Sequence, residues 1–142
     1  MQYDFGRNKA STANGAESQA DVARAVIEQS RALIANGELK RANDLLVHAI
    51  DDSGISEPSI RASLVVMLAC LLAAQGRLGE AEERLNPVLP YITDRRSAAR
   101  IFCARAVELA CEGSLDRALE VTACAEGIGS TDHELTNQVD DL

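Results

Sequence analysis

The 142-residue sequence contains few aromatic residues and few prolines. Aromatic side chains make up 3% of the chain, tryptophan is absent, and there are three prolines. Strands favour β-branched and aromatic residues, whereas helices favour alanine and leucine, of which this chain has 23 and 16. Because hydrophobic residues still make up 46% of the chain, we predict an all-α domain with a real core.

Positive charge is also scarce. Two lysines and twelve arginines stand against 22 acidic residues, which gives a net charge of −8. The sequence contains no basic patch broad enough to overcome the negative electrostatic field of this net charge, so we expect no nucleic-acid partner. The preference for arginine over lysine, together with the high alanine content, suits a GC-rich bacterial genome.

The sequence lacks the apolar segments that direct a chain to or through a membrane. Its N-terminus, MQYDFGRNKASTANGAESQAD, has no apolar region of the signal-peptide type. The longest apolar run, LVVMLACLLAA at 64–74, is too short to span a bilayer and predicts a buried helix. We therefore expect a cytoplasmic protein without membrane contact.

Motifs for catalysis, metal binding and disulfide formation are missing as well. The four cysteines have no CxxC spacing, which predicts reduced thiols rather than a disulfide framework. His48 and His133 stand alone, and no phosphate loop, nucleophile motif or paired carboxylates occur. We predict no enzyme activity, no cofactor and no metal site. We interpret the thiols as packing residues, with a thiol- or metal-responsive switch as an alternative; they are Cys70, Cys103, Cys111 and Cys124.

One pattern, Gly-x-Leu-x-x-Ala, occurs three times, at 37–42, 76–81 and 113–118. Each copy follows one segment of helical apolar spacing and precedes another. Glycine readily takes the left-handed conformation just beyond a helix C-terminus, so the pattern predicts a tight turn between two antiparallel helices. The leucines would fill the bottom of each hairpin, and the alanines would lie where its helices cross.

The flanking sequence sets the expected bounds. We predict a leader over 1–17, helix pairs over about 19–52, 57–91 and 94–127, and a short capping helix over 131–142. The predicted helix starts are Ser18-x-x-Asp21, Thr93–Asp94 and the capping box Thr131-x-x-Glu134, and the predicted stops are Gly54 and Gly127.

Two further features fall inside the second helix of pair two. Pro87 cannot donate a backbone hydrogen bond, so we expect that helix to kink or end near Asn86, with Pro90 ending any remnant. The charged run Glu80, Glu82, Glu83, Arg84 is interpreted as a solvated helix face.

The three pairs resemble the tetratricopeptide repeat (TPR) family, whose repeat is a helix–turn–helix of about 34 residues. Pair two fits the family pattern best, with Val65, Leu68–Ala69, Leu72, Gly76, Leu78, Ala81 and Leu85. Pair one departs at Gln29–Ser30, and pair three departs at Arg105, Thr122 and Glu126. The resemblance implies a right-handed superhelix of three hairpins.

The family register implies a concave, peptide-binding groove built from the first helix of each pair. Such a surface suits an amphipathic helix or an extended peptide with apolar anchors and some acidic residues. The side chains that the register places there are Arg24, Ile27, Arg31, Ile34, Ser63, Val66, Cys70, Ala73, Arg100, Cys103, Val107 and Cys111.

The resemblance also bears on the kind of partner. The carboxylate clamp by which some family members hold a chaperone's C-terminal tail would fall on Ile27, Arg31, Met67, Arg100 and Ala104, of which only Arg100 keeps the right character. We therefore expect a small adaptor or chaperone that binds another protein. A regulatory module like those of MalT-type bacterial transcription activators is the alternative. The sequence leaves a homodimer open.

The leader contains two of the four aromatic residues, Tyr3 and Phe5. It is either a plain polar tail or a short segment that docks in a groove of its own chain or of a neighbour.

Overall fold

The computed structural model describes the backbone of residues 15–140 and the side chains of residues 18–128. Every regular element in this part of the chain is a helix, as the composition predicts, and it contains no strand. In chain order the elements are α1 (Gly15–Ala35), α2 (Leu39–Asp52), α3 (Pro58–Ala74), α4 (Leu78–Leu85), a 3₁₀ helix (Asn86–Tyr91), α5 (Arg95–Cys111) and α6 (Leu115–Asp140).

Three turns join these helices in pairs, and all three have the same backbone geometry. Gly37, Gly76 and Gly113 have φ angles of 78°, 80° and 89°, a region that only glycine enters without a Cβ penalty. At the first turn, the Gly37 amide donates to the carbonyl of Ile34 at 3.0 Å, and the next amide donates to Leu33 at 2.8 Å. The same two bonds recur at the other turns. They satisfy the last free carbonyls of the first helix, so the predicted helix–turn–helix junctions are confirmed.

In the middle of the chain, the remaining helix ends are determined by neighbouring residues: a capping carboxylate, a glycine and a proline. The Asp94 carboxylate accepts the Ser97 amide at 3.1 Å and begins α5, which confirms that predicted cap. Gly54, with a φ of 80°, follows the end of α2 and confirms the predicted stop. Pro58 occupies the first turn of α3, where its missing N–H costs nothing.

The prolines of pair two break its second helix as predicted. After eight residues α4 ends at Leu85, and the chain continues as the 3₁₀ helix that contains Pro87 and Pro90. A proline ring clashes with the preceding helical turn, and the tighter 3₁₀ winding relieves that clash over a short length.

At the N-terminal end, the predicted start of the first helix is wrong. Helix α1 begins at Gly15, so Ser18 and Asp21 lie inside it and do not cap it. Alanine, glutamate and glutamine between residues 16 and 20 are good helix formers, and they extend the helix backwards. The remainder of the predicted leader, residues 1–14, lies outside the described part of the chain.

At the C-terminal end, the predicted stop at Gly127 and the separate capping helix over 131–142 are wrong. Helix α6 runs without interruption from Leu115 to Asp140. Gly127 does not adopt a positive φ, and a glycine inside a helix costs only about 1 kcal/mol relative to alanine. Without a proline nearby, that cost does not end the helix. The capping box at Thr131 therefore lies within α6, among residues whose side chains are not described.

Helix α3 forms the centre of the core. It packs against α1, α2, α4 and α5, and eight of its residues are buried. The first helices of successive pairs lie side by side, since α3 contacts both α1 and α5. Among the described residues, the second helices α2, α4 and α6 do not pack on one another. One side of the molecule is therefore closed by helix–helix packing, and the other side has two gaps.

The small residues of the repeated pattern pack as predicted, but one leucine does not. Ala42 and Ala81 are fully buried where the helices of their pairs cross. Leu115 is 62% exposed, although Leu39 and Leu78 at equivalent positions pack against the core. The prediction that Leu115 fills its hairpin is wrong because no following pair covers that end of α5 and α6 among the described residues.

Candidate functional site

The predicted groove residues lie on one side of α1, α3 and α5, which we call the first-helix face. Ile27, Ile34 and Ala73 are half-buried there. Val66 is buried, with 6% of its surface exposed, and belongs to the core beneath the face. The exposed members are Arg24, Arg31, Ser63, Cys70, Arg100, Cys103, Val107 and Cys111.

The first-helix face is not built with one uniform register. Helix α1 is level with α3, because the Gln19 side chain accepts the backbone amides of Ser56 and Glu57 at 3.1 and 2.9 Å, just before α3 begins. Cys70, however, lies against the start of α5, next to Asp94 and Ser97. Cys103 is six residues beyond Ser97, or about 9 Å along the helix. The structure therefore does not place Cys70 and Cys103 level with each other.

Charge is unevenly divided between the first and second helices. Helices α1, α3 and α5 contain seven arginines and four carboxylates. The second helices, with the 3₁₀ segment, contain four basic and twelve acidic residues. A chain with a net charge of −8 thus has a first-helix layer of net charge +3 beside a second-helix layer of net charge −8. Net positive charge is thus concentrated on the first helices and net negative charge on the second helices.

Two arginines of the first-helix face have no acidic partner. Arg31 on α1 and Arg100 on α5 are exposed and make no ion pair or hydrogen bond with any described residue. Arg24, by contrast, pairs with Asp21 at 2.8 Å. Helix α3, which lies between α1 and α5, contains no carboxylate. The face therefore presents free guanidinium groups on α1 and α5, on either side of α3.

A cleft of about 830 Å³ occupies the gap between α2 and α4. Its floor is apolar and comes from α3, with Val65, Leu68 and Leu72, and its rim carries charges of both signs. Asn43 and Gln75 cross one end of it through paired amide hydrogen bonds of 3.2 and 3.3 Å. The cleft belongs to the second-helix side, which the sequence did not single out as a binding surface.

The gap between α4 and α6 is filled by a buried ionic cluster. Glu82 is 6% exposed, and its carboxylate accepts hydrogen bonds from Arg105 at 3.0 Å and from Arg117 at 2.9 Å. Burial by itself raises the pKa of Glu82, but the bonds from Arg117 and Arg105 outweigh it and hold the pKa below its ordinary value. The cluster therefore joins α4, α5 and α6 through one ionised side chain.

This cluster corrects one sequence interpretation and explains a departure from the family pattern. Glu82 is not part of a solvated face, although its neighbour Glu83 is exposed. Arg105 occupies a position where pair two has Leu68, and it does so to pair with Glu82. Its guanidinium also lies over Gly79, where an added Cβ would be 3.5 Å from the guanidinium carbon.

The four cysteines are free and exposed, and they do not form a cluster. Burial raises the pKa of the Cys70 thiol, the Asp94 carboxylate adds to this, and the Ser97 hydroxyl opposes it. Cys70 is therefore a poorer nucleophile than an ordinary cysteine at neutral pH. The described side chains include no group of three histidine, cysteine or acidic residues arranged to hold a metal ion.

No family model matches this chain, and neither a curated protein nor a solved structure matches it. No described helix is both long and apolar enough to cross a bilayer. The first-helix face with its free arginines and the cleft between α2 and α4 are both candidate binding surfaces for a partner. The first helices carry net positive charge, whereas the rim of the cleft carries charges of both signs, among which Arg77 and Glu80 pair at 2.6 Å.

Proposed function

We propose that this protein is a TPR-like interaction module that holds an acidic, amphipathic segment of another protein on its first-helix face. In this proposal the three helix pairs form a short right-handed superhelix, and the protein works in the cytoplasm as an adaptor or small chaperone. Three tight turns of one geometry support the architecture. The binding role is supported by the side chains of the first-helix face.

The observation that carries the binding role is the pair of free arginines on either side of the strip formed by α3, a helix that contains no carboxylate. An exposed arginine in an acidic protein usually finds an internal partner, as Arg24 and Arg41 do. Arg31 and Arg100 do not, although the chain has eight more negative than positive charges. An external carboxylate at either position would make charge-assisted, bidentate hydrogen bonds.

The strip between the two arginines favours apolar anchors of moderate size. Its exposed side chains on α3 are Ser63, Cys70 and Ala74, with half-buried Ala73 beside them. Small residues let a bound segment approach the helix backbone closely. Val107 on α5 adds an apolar contact, since 64% of its surface is exposed. A segment with apolar residues on one side and acidic residues at its edges fits this arrangement.

A peptide selection on the full chain tests this proposal. Helix-forming peptides displayed on phage would be selected for binding to the protein at low salt. We expect the enriched sequences to combine apolar residues at helical spacing with Asp or Glu. The double variant Arg31→Glu, Arg100→Glu should then bind the best peptide at least about tenfold more weakly, because each charge-assisted hydrogen bond contributes about 1.5–3 kcal/mol.

Lys40→Glu provides the matched control, since Lys40 is an exposed, unpaired cation on the second-helix side. It changes the net charge by −2, as Arg31→Glu or Arg100→Glu does by itself, so comparison with each single reversal separates a local contact from a general field effect. Binding of the Lys40→Glu variant should change by no more than about twofold. Enrichment of basic peptides, or equal loss of binding in all three charge reversals, would refute the proposed site.

A further inference from the structure

A second groove lies at the opposite end of the molecule from the α5–α6 pair. It has a volume of about 380 Å³ and runs between the C-terminal half of α1 and the start of α2. Leu33 and Leu45 are half-buried in it and pack against the core. We call it the end groove; its lining residues are Gln29, Ala32, Leu33, Asn36, Arg41 and Leu45.

The end groove is the position at which a preceding helix pair would pack. The repeated turns are 39 residues apart, and adding 39 to Leu33 and Asn36 gives Leu72 and Gln75. Those two residues line the side of pair two that faces pair one. Pair one has no pair before it among the described residues, so the equivalent side of α1 and α2 stays open. Its leucines are therefore an apolar surface without a described partner.

The chain immediately before α1 is long enough to reach this groove. Helix α1 begins at Gly15, and Leu33 lies about 27 Å further along the helix axis at 1.5 Å per residue. The ten residues that separate Phe5 from Gly15 span about 33 Å when extended. Phe5 can therefore lie over Leu33 if the segment runs back along α1 towards the first turn.

The chemistry of this segment matches the groove. Tyr3 and Phe5 are two of only four aromatic residues in the chain, and they flank Asp4. Arg41 lies on the rim of the groove, where its only described partner is Glu38 at 2.7 Å, in an exposed pair. Such pairs contribute little, so Arg41 remains available to a second carboxylate.

We propose that residues 3–5 dock in the end groove of their own chain, with the Tyr3 and Phe5 rings on Leu33 and Leu45 and Asp4 beside Arg41. The segment then covers the apolar end of the array as a built-in cap. This inference does not depend on the proposed partner-binding face, which lies on another side of the molecule.

Methyl and aromatic NMR of the full chain tests the docking directly. We expect nuclear Overhauser effects between the Tyr3 and Phe5 rings and the Leu33 and Leu45 methyl groups. The variant Tyr3→Ala, Phe5→Ala should remove the upfield ring-current shift of those methyl signals. The variant Tyr91→Ala is the matched control, because it removes an exposed aromatic ring elsewhere and should leave both leucines unchanged.

A change within the groove gives an independent check. Ala32 is exposed, so Ala32→Glu should leave the fold intact while it crowds the groove and repels Asp4, and the ring–methyl effects should be lost. Ala123→Glu, an equally exposed change on α6, should keep them. Unchanged chemical shifts of the Leu33 and Leu45 methyl groups in the variant that lacks both rings would overturn the proposal. Ring–methyl effects seen only between differently labelled copies would overturn the assignment to the same chain.

Discussion

The two gaps between the second helices show that successive helix pairs are joined in two different ways. Between α2 and α4 the gap is an open cleft with an apolar floor, crossed by the amides of Asn43 and Gln75. Between α4 and α6 the gap is filled by Glu82 and two arginines. In the repeat register Asn43 and Glu82 are equivalent, since each directly follows the alanine of its Gly-x-Leu-x-x-Ala pattern. The same position therefore takes part in an amide contact at the first junction and in a buried ionic cluster at the second, although the Arg84–Asp51 pair at 3.2 Å also crosses the first gap.

The difference has consequences for stability and for binding. A buried carboxylate is strongly destabilising unless its partners remain, so the second junction depends on all three charges. The junction between α2 and α4 depends on weaker contacts, the Asn43–Gln75 amides and the partly exposed Arg84–Asp51 pair, and it leaves room for a ligand. The ionic cluster also directs Arg105 towards α4 and away from the first-helix face.

The largest expected effect comes from breaking the ionic junction. Glu82→Gln leaves Arg105 and Arg117 without their shared carboxylate, and we expect a loss of about 2–3 kcal/mol in the free energy of unfolding. That figure lies below the 3–5 kcal/mol of a fully buried pair because Arg117 is half-exposed and both arginines keep a second acidic neighbour. Urea denaturation measures the loss.

Glu83→Gln is the matched control for this change. Glu83 is exposed and adjacent in sequence, so its substitution should alter the unfolding free energy by less than about 0.5 kcal/mol. Equal stability of the two variants would show that the cluster does not hold α4, α5 and α6 together.

The same junction predicts a specific pH dependence. Because the folded-state pKa of Glu82 lies below its unfolded value, its contribution is fully present above the ordinary glutamate pKa of about 4.3. It is lost as the pH falls through the lowered, folded-state pKa. The stability difference between the wild type and Glu82→Gln should thus be constant near neutral pH and shrink below about pH 4. A difference that stays constant down to pH 3 would contradict the ionic description.

A smaller effect is expected at the amide contact of the junction between α2 and α4. Asn43→Ala removes two amide hydrogen bonds, but Gln75 keeps its bond to the Leu71 carbonyl at 2.9 Å. We expect a loss of about 1 kcal/mol in the free energy of unfolding. Asp44→Ala, on the exposed neighbouring residue, should change it by less than about 0.5 kcal/mol. If Asn43→Ala cost as much as Glu82→Gln, the contrast between the junctions would fail.

The sequence predicts the local features of this fold better than its junctions. A glycine beyond a helix and a proline inside one act on their own turn, so Gly37 and Pro87 mark element ends without any knowledge of tertiary structure. Glu82, Arg105 and Arg117 act across 23 and 35 positions, and their pairing depends on how two helix pairs stack. An arginine at an apolar position of the register was the available signal, but it does not name its partner.

In the candidate site, too, local features could be predicted from the sequence and tertiary ones could not. Which side chains lie on the first-helix face can be predicted from helical spacing, and eight of the predicted residues are exposed. Val66 is buried, and Cys70 lies beside Asp94 and Ser97, about ten residues before Val107, its equivalent in the repeat. How α5 packs on α3 is a tertiary feature that a fixed repeat length does not encode. Helix α6 extends past its predicted stop for a different reason, since an isolated glycine only weakens a helix.

Mapping the binding site of a selected acidic peptide tests the central claim most directly. Backbone amide shifts of the full chain, recorded during a titration with the peptide, report which residues the peptide contacts. We predict the largest shifts around Arg31, Cys70 and Arg100 on the first-helix face. Shifts concentrated around Val47, Arg84 and Val88 would place the peptide in the cleft between α2 and α4 instead and would contradict the proposed function.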